Sequence, residues 1–397
     1  MPKNLVRATS LARHDRLSGL FDANVLLKCE QEQAIRSYKI RGACYALLCM
    51  YAKGIRKVVA ASAGNHAQGV AASCNFLGID GTIFMPETTT DQKTDATIRH
   101  GNGRINIRRV GDVFDETLAE ALQFAGDTDA TFVPPFDHPD IIAGQGTVGK
   151  EIVEEMRKRG EHVDAVFGPI GGGGLMAGVS EYMRNAAPRT RLYGIEPEGA
   201  AAMKASLDAG ELVTLDSMNP FVDGAAVRTP GRLTFDMIRK NNVEVSTVPE
   251  GRLCSTVRDF IETDGTMIEL AGALSIDGLQ NYREEIRGKT VVCIVSGSNI
   301  SSTKINDVGK EAARYHRREA ELTVTMANRA GALAELTGLL HREAPHAGIT
   351  FIEYRQEHEE PLATVQIDLS SRDPGEIARA LDVMKKAKFS VQERKRS

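Results

Sequence analysis

Residues Ala165–Leu175 read AVFGPIGGGGL, a short apolar run that leads directly into four glycines. Four consecutive glycines cost backbone entropy, and an ordinary turn needs only one or two, so the pattern favours a loop whose backbone wraps a phosphate group. The spacing matches neither the GxGxxG fingerprint of dinucleotide-binding folds nor a P-loop, because no Gly-Lys-Ser/Thr follows. A plain strand-to-helix turn is the alternative. The stretch predicts an α/β fold with a phosphate site where a strand ends.

Similar apolar runs alternate with helical patterns over about the first 300 residues, which predicts a parallel sheet covered on both faces. This is too long for one small doubly wound unit, so we expect two lobes with a cleft between them. The predicted strands are Val25–Lys28, Lys57–Ala60, Gly81–Met85, Ile105–Val110, Thr131–Val133, Ala165–Pro169, Arg191–Ile195, Glu244–Val248 and Val291–Val295. The predicted helices include Lys39–Tyr51, Ala67–Leu77, Val113–Phe124 and Gly146–Lys158.

After Ser301 the pattern changes, and the polar, basic stretch Thr303–Arg318 predicts a helical neck. Beyond it, elements follow in the order β-α-β-β-α-β, which is the ferredoxin-like arrangement. The predicted domain boundaries are 1–302, 303–320 for the neck helix and 321–397 for a small α+β domain. The elements of that domain are the strands Glu321–Ala327, Ile349–Gln356, Leu362–Leu369 and Phe389–Gln392 and the helices Ala332–Arg342 and Pro374–Ala387.

Composition excludes several function classes. The 397 residues contain 49 Lys and Arg against 53 Asp and Glu, so charge gives no reason to expect a nucleic-acid or membrane partner. No stretch approaches the roughly 20 apolar residues of a membrane span, and the N-terminus lacks an apolar signal core. The six cysteines form no CxxC pair and no zinc-like spacing. We therefore expect buried thiols in a reducing compartment, no metal site and a cytoplasmic protein.

Three further segments place polar or reactive side chains beside predicted elements. Lys39, within IRSYKIRGA (35–43), is either a desolvated amine nucleophile or a surface lysine in the first turn of a helix. Residues Ser62–Gly69, SAGNHAQG, lie between a strand and a helix, where an anion can bind, although Ser and Asn are also common helix caps. Residues Ser296–Asn299, SGSN, follow a strand at the sheet edge where ligands bind, or form a simple turn. Each segment alone fits a structural role as well as a functional one.

In this order, the four segments resemble the fold-type II pyridoxal-phosphate enzymes, which have a tryptophan synthase β-like fold, and among them the threonine dehydratase (threonine ammonia-lyase) family. The resemblance covers essentially the whole chain, including the single short C-terminal domain of the biosynthetic form. It implies pyridoxal 5'-phosphate as cofactor, L-threonine as small-molecule substrate, and 2-oxobutanoate for isoleucine biosynthesis as product, made by a homodimer or homotetramer. Other family-like stretches are FVPPFDHPDIIAGQGTVG (132–149), GIEP (194–197), FVDGAAV (221–227) and ELAGALS (269–275).

The resemblance also implies roles for individual residues. Lys39 would hold the cofactor aldehyde and then remove the α-proton of the substrate. Asn65 would hydrogen-bond the ring hydroxyl of the cofactor, and Ser296 would face its pyridine nitrogen. The residues that would wrap the phosphate are Gly171, Gly172, Gly173, Gly174 and Leu175. The residues that would bind the substrate carboxylate are Ser62, Ala63, Gly64 and His66, with Gln145 nearby.

Two alanines narrow the expected chemistry. Ala63 stands where related serine racemases place a proton-transferring serine, so the resemblance implies elimination without racemisation. Ala202 stands six positions after Glu196, where some racemases carry an acidic metal ligand, so we expect no metal there. The sequence also departs from the family at KCEQE (28–32), where KREDL is usual, and at Ser10, where proline is usual. These departures spare the named chemical groups.

The C-terminal domain resembles ACT-like regulatory domains, which bind amino acids such as isoleucine or valine. Asn328, Arg329 and Gly331 match their loop-to-helix turn, although Ala330 stands where proline is common. Isoleucine inhibition is the expected regulation, and a domain kept only for oligomerisation is the alternative. For the whole chain, the competing hypotheses are an L-serine dehydratase or related β-eliminase and a catalytically silent amino-acid sensor. A nicotinamide dehydrogenase is excluded because GxGxxG and its ribose-binding acid are missing.

Overall fold

The computed structural model describes residues 1–355 and 360–394. The chain forms two compact units, Met1–Ser302 and Thr303–Ser397. Among the described residues, no helix is long and apolar enough to cross a bilayer.

The first unit is built on two sheets. Its strands are β1 (Leu11–Arg13), β2 (Asn24–Cys29), β3 (Lys57–Ala61), β4 (Asp80–Met85), β5 (Ile105–Arg109), β6 (Thr131–Phe132), β7 (Ala165–Pro169), β8 (Arg191–Pro197), β9 (Glu244–Val248) and β10 (Thr290–Val295). The larger sheet has the order β1-β2-β10-β7-β8-β9 and is parallel except for the pair β1 and β2. The smaller sheet has the order β5-β4-β3-β6 and is parallel throughout. Each sheet forms the centre of one lobe.

Helices cover both sheets. In the first unit they are α1 (Asp15–Phe21), α2 (Lys39–Ala52), α3 (Asn65–Leu77), α4 (Asp91–Gly101), α5 (Phe114–Asp127), α6 (Pro139–Arg159), α7 (Gly174–Ala186), α8 (Ala202–Ala209), α9 (Arg232–Lys240), α10 (Glu250–Glu262), α11 (Leu270–Asp277) and α12 (Arg283–Ile286). Single 3-10 turns occur at Glu30–Glu32, Glu198–Ala200 and Gly278–Tyr282. The central strands are apolar on both faces, as in Val291–Val295 of β10, where every residue is buried. This is the pattern of a parallel sheet between two helix layers.

Helices α6 and α7 approach each other unusually closely, and glycines make this possible. A Cβ on Gly178 would lie 2.2 Å from the carbonyl oxygen of Ile142, and one on Gly146 would lie 2.9 Å from that of Gly178. Glycine inside a helix costs about 1 kcal/mol relative to alanine, and close backbone packing offsets that cost here. The contact fixes the position of α7, whose N-terminus carries the four-glycine loop.

The second unit has one antiparallel sheet. It contains α13 (Ser302–Tyr315, whose first residue ends the first unit), β11 (Glu319–Ala327), α14 (Ala332–Glu343), β12 (Gly348–Arg355), β13 (Leu362–Ser370), α15 (Pro374–Lys386) and β14 (Ser390–Glu393). The strand order is β12-β13-β11-β14. Buried residues alternate along β11 and β13, as expected for a sheet with one face on a helical core. The connectivity and strand order are ferredoxin-like.

The predicted fold class is confirmed, but some predicted bounds differ. The neck helix expected over 303–320 ends at Tyr315, and β11 begins at Glu319 instead of Glu321. Helix α6 begins at Pro139 instead of Gly146, because His138 caps it and Pro139 occupies its first turn. The short antiparallel strand β1 was not predicted. The strand predicted at Ile349–Gln356 is present through Arg355, and Gln356 lies outside the described residues.

Candidate active site

The four-glycine loop joins β7 to α7 and is packed against neighbouring chain. Gly173 has φ +91°, a conformation that residues with a side chain rarely adopt. A Cβ on Gly172 would lie 2.4 Å from the ring of Phe136, and one on Gly171 would lie 3.0 Å from the backbone of Ala225. Among the described residues, no side chain caps α7, so the N–H groups of its first turn are left for an anion. The loop therefore forms a cradle that any side chain would fill.

The loop is held in place by α9 and by the segment before α6. Thr234 donates a hydrogen bond of 2.6 Å from Oγ1 to the carbonyl oxygen of Gly172. The carboxylate of Asp137 accepts hydrogen bonds from the N–H groups of Arg232, Leu233 and Thr234 at 2.9, 2.9 and 3.2 Å. Asp137 thus caps α9, and α9 in turn supports the glycine backbone.

Lys39 is the first residue of α2 and is half-buried. Its Nζ donates a hydrogen bond of 2.9 Å to the carbonyl oxygen of Pro135 and lies 5.6 Å from the ring centroid of Tyr38. Burial lowers the pKa of Lys39 to about 8, against an opposing effect of the Glu269 carboxylate. At neutral pH the neutral fraction of this amine is therefore far larger than that of an ordinary lysine, and the neutral form is the nucleophile.

The loop between β3 and α3 contains the predicted carboxylate-binding residues. Ser62 Oγ accepts a hydrogen bond of 3.1 Å from the N–H of Gly64, and Ala63 lies half-buried between them. His66 Nε2 lies 3.0 Å from the carbonyl oxygen of Val133. Burial, with Lys39 nearby, lowers the pKa of His66 to about 3, so its ring is neutral and donates this bond. His66 therefore stabilises the loop through this hydrogen bond and adds no positive charge to it.

Asn65, the first residue of α3, joins the smaller lobe to the larger one. Its Nδ2 donates to the two carboxylate oxygens of Glu269 at 3.0 and 3.2 Å, and its Oδ1 accepts a bond of 2.7 Å from Asn299 Nδ2. Glu269 and Asn299 both lie within motifs found in the sequence, but the sequence alone predicts a role for neither. The only signal at Glu269 was an acidic residue directly before the apolar helix α11.

Ser296 follows β10 and is buried beside the start of α2. Its carbonyl oxygen accepts a hydrogen bond of 3.0 Å from the N–H of Tyr38, and Ser37 and Gly297 form an antiparallel bridge. The residue before Lys39 is therefore tied to Ser296 through the backbone. The structure thus brings these two sequence-predicted residues together.

Gln145 lies on α6, where it faces α2. It is buried, and its Nε2 would be 2.3 Å from a Cβ on Gly42. Among the described residues, its Oε1 has no protein hydrogen-bond partner, and no bond joins Gln145 to the Ser62–His66 loop. The structure therefore does not join this residue directly to the other predicted carboxylate-binding residues.

A buried charge network supports α2 behind Lys39. Arg41 Nε and one of its terminal nitrogens bind the carboxylate of Glu30 at 2.7 and 2.8 Å. Arg41 also binds the two carboxylate oxygens of Glu151 at 2.6 and 2.8 Å, and Lys28 Nζ binds Glu151 at 2.6 Å. Lys28 and Glu30, the two residues of KCEQE (28–32) that match the family pattern, therefore belong to a fully paired network.

The residues considered for a metal site have a structural role. Glu196 accepts hydrogen bonds of 2.9 and 2.7 Å from the N–H groups of Met203 and Lys204 and so stabilises the start of α8. Burial raises the pKa of Glu196 to about 8. In the described part of the chain, no three His, Cys, Asp or Glu residues cluster in a way that could hold a metal ion.

The predicted regulatory residues lie between β11 and α14 in the second unit. Asn328 Nδ2 donates a bond of 2.7 Å to the carbonyl oxygen of Glu360, and Arg329 pairs with Glu335. Gly331 has φ +85° and immediately precedes α14, a position that glycine tolerates best. The turn is thus stabilised by its own contacts.

The residues of the first unit fit pyridoxal phosphate. The uncapped glycine cradle suits a phosphate, and a desolvated amine contacts Pro135, the neighbour of the Phe136 that covers the cradle.

A separate groove of about 690 Å³ is lined by residues of α6, α7 and α9, including Ile142, Tyr182 and Met237. None of the predicted site residues lines that groove, so its size does not indicate the chemical site.

The chain is similar in sequence to known proteins over almost its full length. A family model described as pyridoxal-phosphate dependent enzyme matches residues 3–297. The biosynthetic L-threonine dehydratase of Halalkalibacterium halodurans is 38% identical over 98% of this chain and 93% of its own, and that of Bacillus subtilis is 37% identical over 98% and 91%. The processed form of threonine deaminase isoform 2 from Solanum lycopersicum superposes with a TM-score of 0.73 at 34% identity, covering 78% of this chain and 89% of its own.

Proposed function

The chain belongs to the family of pyridoxal-phosphate-dependent enzymes, and we propose that it deaminates L-threonine to 2-oxobutanoate and ammonia. Similarity to threonine dehydratases along nearly the whole of both chains supports this substrate. The structural observation that carries the proposal is that Lys39 and the glycine cradle contact adjacent residues. Pro135 binds the Lys39 amine, and the ring of Phe136 lies against the backbone of Gly172. An amine and an anion site are therefore held by one short segment.

The proposed cofactor site consists of Lys39, Asn65, Ser296 and the loop Gly171–Leu175. When bound, pyridoxal phosphate makes the α-proton of an attached amino acid acidic, because its ring delocalises the negative charge left behind. The N–H groups at the start of α7 would bind the phosphate. Ser296 offers a neutral hydroxyl to the ring nitrogen. Unlike a carboxylate, a hydroxyl carries no negative charge that would keep this nitrogen protonated. That arrangement favours prompt loss of the β-hydroxyl.

The other proposed residues bind the substrate and move its proton. Ser62, Ala63, Gly64 and His66 would receive the carboxylate at the uncapped start of α3, where backbone N–H groups favour an anion. Neutral Lys39 Nζ would take the α-proton, while its bond to the Pro135 carbonyl holds the amine in place. The β-hydroxyl leaves as water, and hydrolysis then takes up one water, so L-threonine yields 2-oxobutanoate and ammonia.

The decisive experiment measures 2-oxo-acid release from L-threonine and from L-serine by the purified protein. We expect turnover of both with preference for threonine, since one methyl group in an apolar pocket is worth about 1–3 kcal/mol. Equal or faster turnover of serine would assign the protein as a serine dehydratase instead. Lys39→Ala should abolish both activities and the visible absorption of the bound cofactor. Lys53→Ala, at the exposed far end of α2, should change neither. A colourless, inactive wild type would favour the amino-acid sensor.

We also propose that the second unit binds isoleucine or valine through the turn at Asn328, Arg329 and Gly331, and that isoleucine inhibits the enzyme. Inhibition requires that the effector bind the states of a homodimer or homotetramer with different affinities. We place the protein in the cytoplasm, a proposal supported by its six free cysteines. Titrating isoleucine against activity while measuring the mass by light scattering tests regulation and assembly together. Activity indifferent to isoleucine and valine would leave the unit with an assembly role only.

A further inference from the structure

Glu269 is a buried carboxylate at the centre of the site, with only 7% of its surface exposed. In the described part of the chain, no Lys, Arg or His forms an ion pair with it. Its partners are neutral donors: Asn65 Nδ2 at 3.0 and 3.2 Å and the N–H of Asn299 at 3.1 Å. Burying a carboxylate without a cationic partner costs free energy, and packing alone does not explain why a carboxylate occupies this position. Its hydrogen bonds to Asn65 and Asn299 therefore indicate a further role.

These hydrogen bonds fix the orientation of the Asn65 carboxamide. The oxygen accepts from Asn299 Nδ2 at 2.7 Å, and the nitrogen faces the Glu269 carboxylate. A flip of the amide would place its oxygen against the carboxylate and its nitrogen against another donor, and both contacts would repel. The two carboxylate oxygens lie in nearly the same direction from Nδ2, whereas its two hydrogens point in different directions, so one N–H serves both oxygens and the second is left to donate elsewhere. Asn299 is itself held by a 2.8 Å bond to the carbonyl oxygen of Ile35.

The charged and titratable groups around Glu269 act on it from several elements. Burial, the largest effect, and the charge of Asp223 together raise the pKa of Glu269 to about 7, against the opposing effects of the donors Asn65 and Asn299 and the ammonium of Lys93. From α2, Lys39 and Tyr38 also lie within range of its charge. The carboxylate is thus poised between its two forms, and only the ionised form accepts from both donors without offering a proton of its own.

We propose that Glu269 is a positioning residue that locks the Asn65 carboxamide so that its second N–H is presented to the ring hydroxyl oxygen of the cofactor. The inference rests on the proposed function, which gives Asn65 that partner. Glu269 itself would touch neither cofactor nor substrate. Its effect passes through Asn65, which comes from the other lobe, 204 residues away in sequence.

The test compares binding of pyridoxal phosphate with binding of its analogue that lacks the ring hydroxyl, measured by absorbance on the full-length apoprotein. Glu269→Gln keeps the size of the side chain but offers the two donors a single acceptor. We expect it to weaken binding of pyridoxal phosphate about tenfold, the scale of a hydrogen bond to a charged group, and binding of the analogue less than about twofold. Glu269→Asp, which keeps the charge, should recover part of the loss for pyridoxal phosphate.

The controls separate positioning from general damage. Glu196→Gln removes another buried carboxylate that accepts two N–H bonds, and it should leave the ratio of the two affinities unchanged. If Glu269→Gln does not fold, Asn299→Ala removes the hydrogen bond to the oxygen of Asn65 instead. It should likewise lower the affinity for pyridoxal phosphate relative to that for the analogue. Equal weakening of both ligands, or none, would overturn the positioning role while leaving the proposed function intact. A wild type that binds neither ligand would overturn the proposed function and this inference with it.

Discussion

Lys39 donates a 2.9 Å hydrogen bond from Nζ to the main-chain carbonyl oxygen of Pro135. An uncharged carbonyl holds the amine in either protonation state, and it favours the ammonium form less strongly than a hydrogen-bonded carboxylate would. Burial can therefore lower the pKa of Lys39 to about 8 even though Glu269 acts in the opposite direction. The amine is positioned and yet kept reactive.

The first prediction concerns the pH dependence of cofactor loading. Because only the neutral amine attacks an aldehyde, the rate of reconstitution with pyridoxal phosphate should rise about tenfold per pH unit below pH 8 and level off above it. Glu269→Gln removes a negative charge that raises this pKa, so its midpoint should move to lower pH. Stopped-flow absorbance measures the rate. A midpoint near the ordinary lysine value of 10.5 would contradict the account.

The second prediction concerns the glycine cradle. In Gly172→Ala the new Cβ would lie 2.4 Å from the ring of Phe136, so either the ring or the loop must move. We expect cofactor binding to weaken by about 1–3 kcal/mol, roughly five- to 150-fold, measured as the dissociation constant of pyridoxal phosphate. Gly126→Ala, on α5, is the control, because a Cβ at this position would have no neighbouring atom within 4 Å. Equal affinities of the two variants would show that the cradle tolerates a side chain.

The third prediction concerns the network behind Lys39. Glu30→Gln leaves Arg41 buried with less negative charge, and breaking such a pair costs about 3–5 kcal/mol. The free energy of unfolding in urea should fall by that amount. Glu154→Gln removes an exposed partner 3.7 Å from Lys150 and should change it by less than about 1 kcal/mol. Similar stability of both variants would mean that Glu151 alone compensates Arg41.

The site residues predicted from the sequence share one property: each was recognised from its immediate sequence neighbours. Lys39, Ser296 and the glycine loop stand directly beside an apolar strand or at a helix start, and the chain order of strands and helices predicts that such positions meet at one sheet edge. Glu269 and Asn65 are 204 residues apart, and no spacing rule joins them. Their contact depends on how the two lobes pack, which the sequence pattern does not encode.

The misplaced start of α6 has a similar cause. Gly144 and Gly146 lower helix propensity around the predicted start, so the pattern predicts a helix only from Gly146 onward. In the fold these glycines allow close backbone contact: a Cβ on Gly144 would lie 2.6 Å from the carbonyl oxygen of Arg41. Tertiary packing thus overrides local propensity. The strand β1 was missed because three residues, two of them exposed, carry too little periodicity to be recognised.

The last prediction concerns Ala63, whose methyl group lies half-buried in the loop before α3 and carries no transferable proton. Wild-type protein should convert L-serine to the 2-oxo acid without releasing D-serine, because Lys39 can move a proton on one face only. Ala63→Ser supplies a hydroxyl and should release measurable D-serine, detected by chiral chromatography. Ala130→Ser, a half-buried loop position in the same lobe, should not. D-serine from the wild type at a rate comparable to 2-oxo-acid release would mean that another group delivers the second proton, and Ala63 would then not limit the enzyme to elimination.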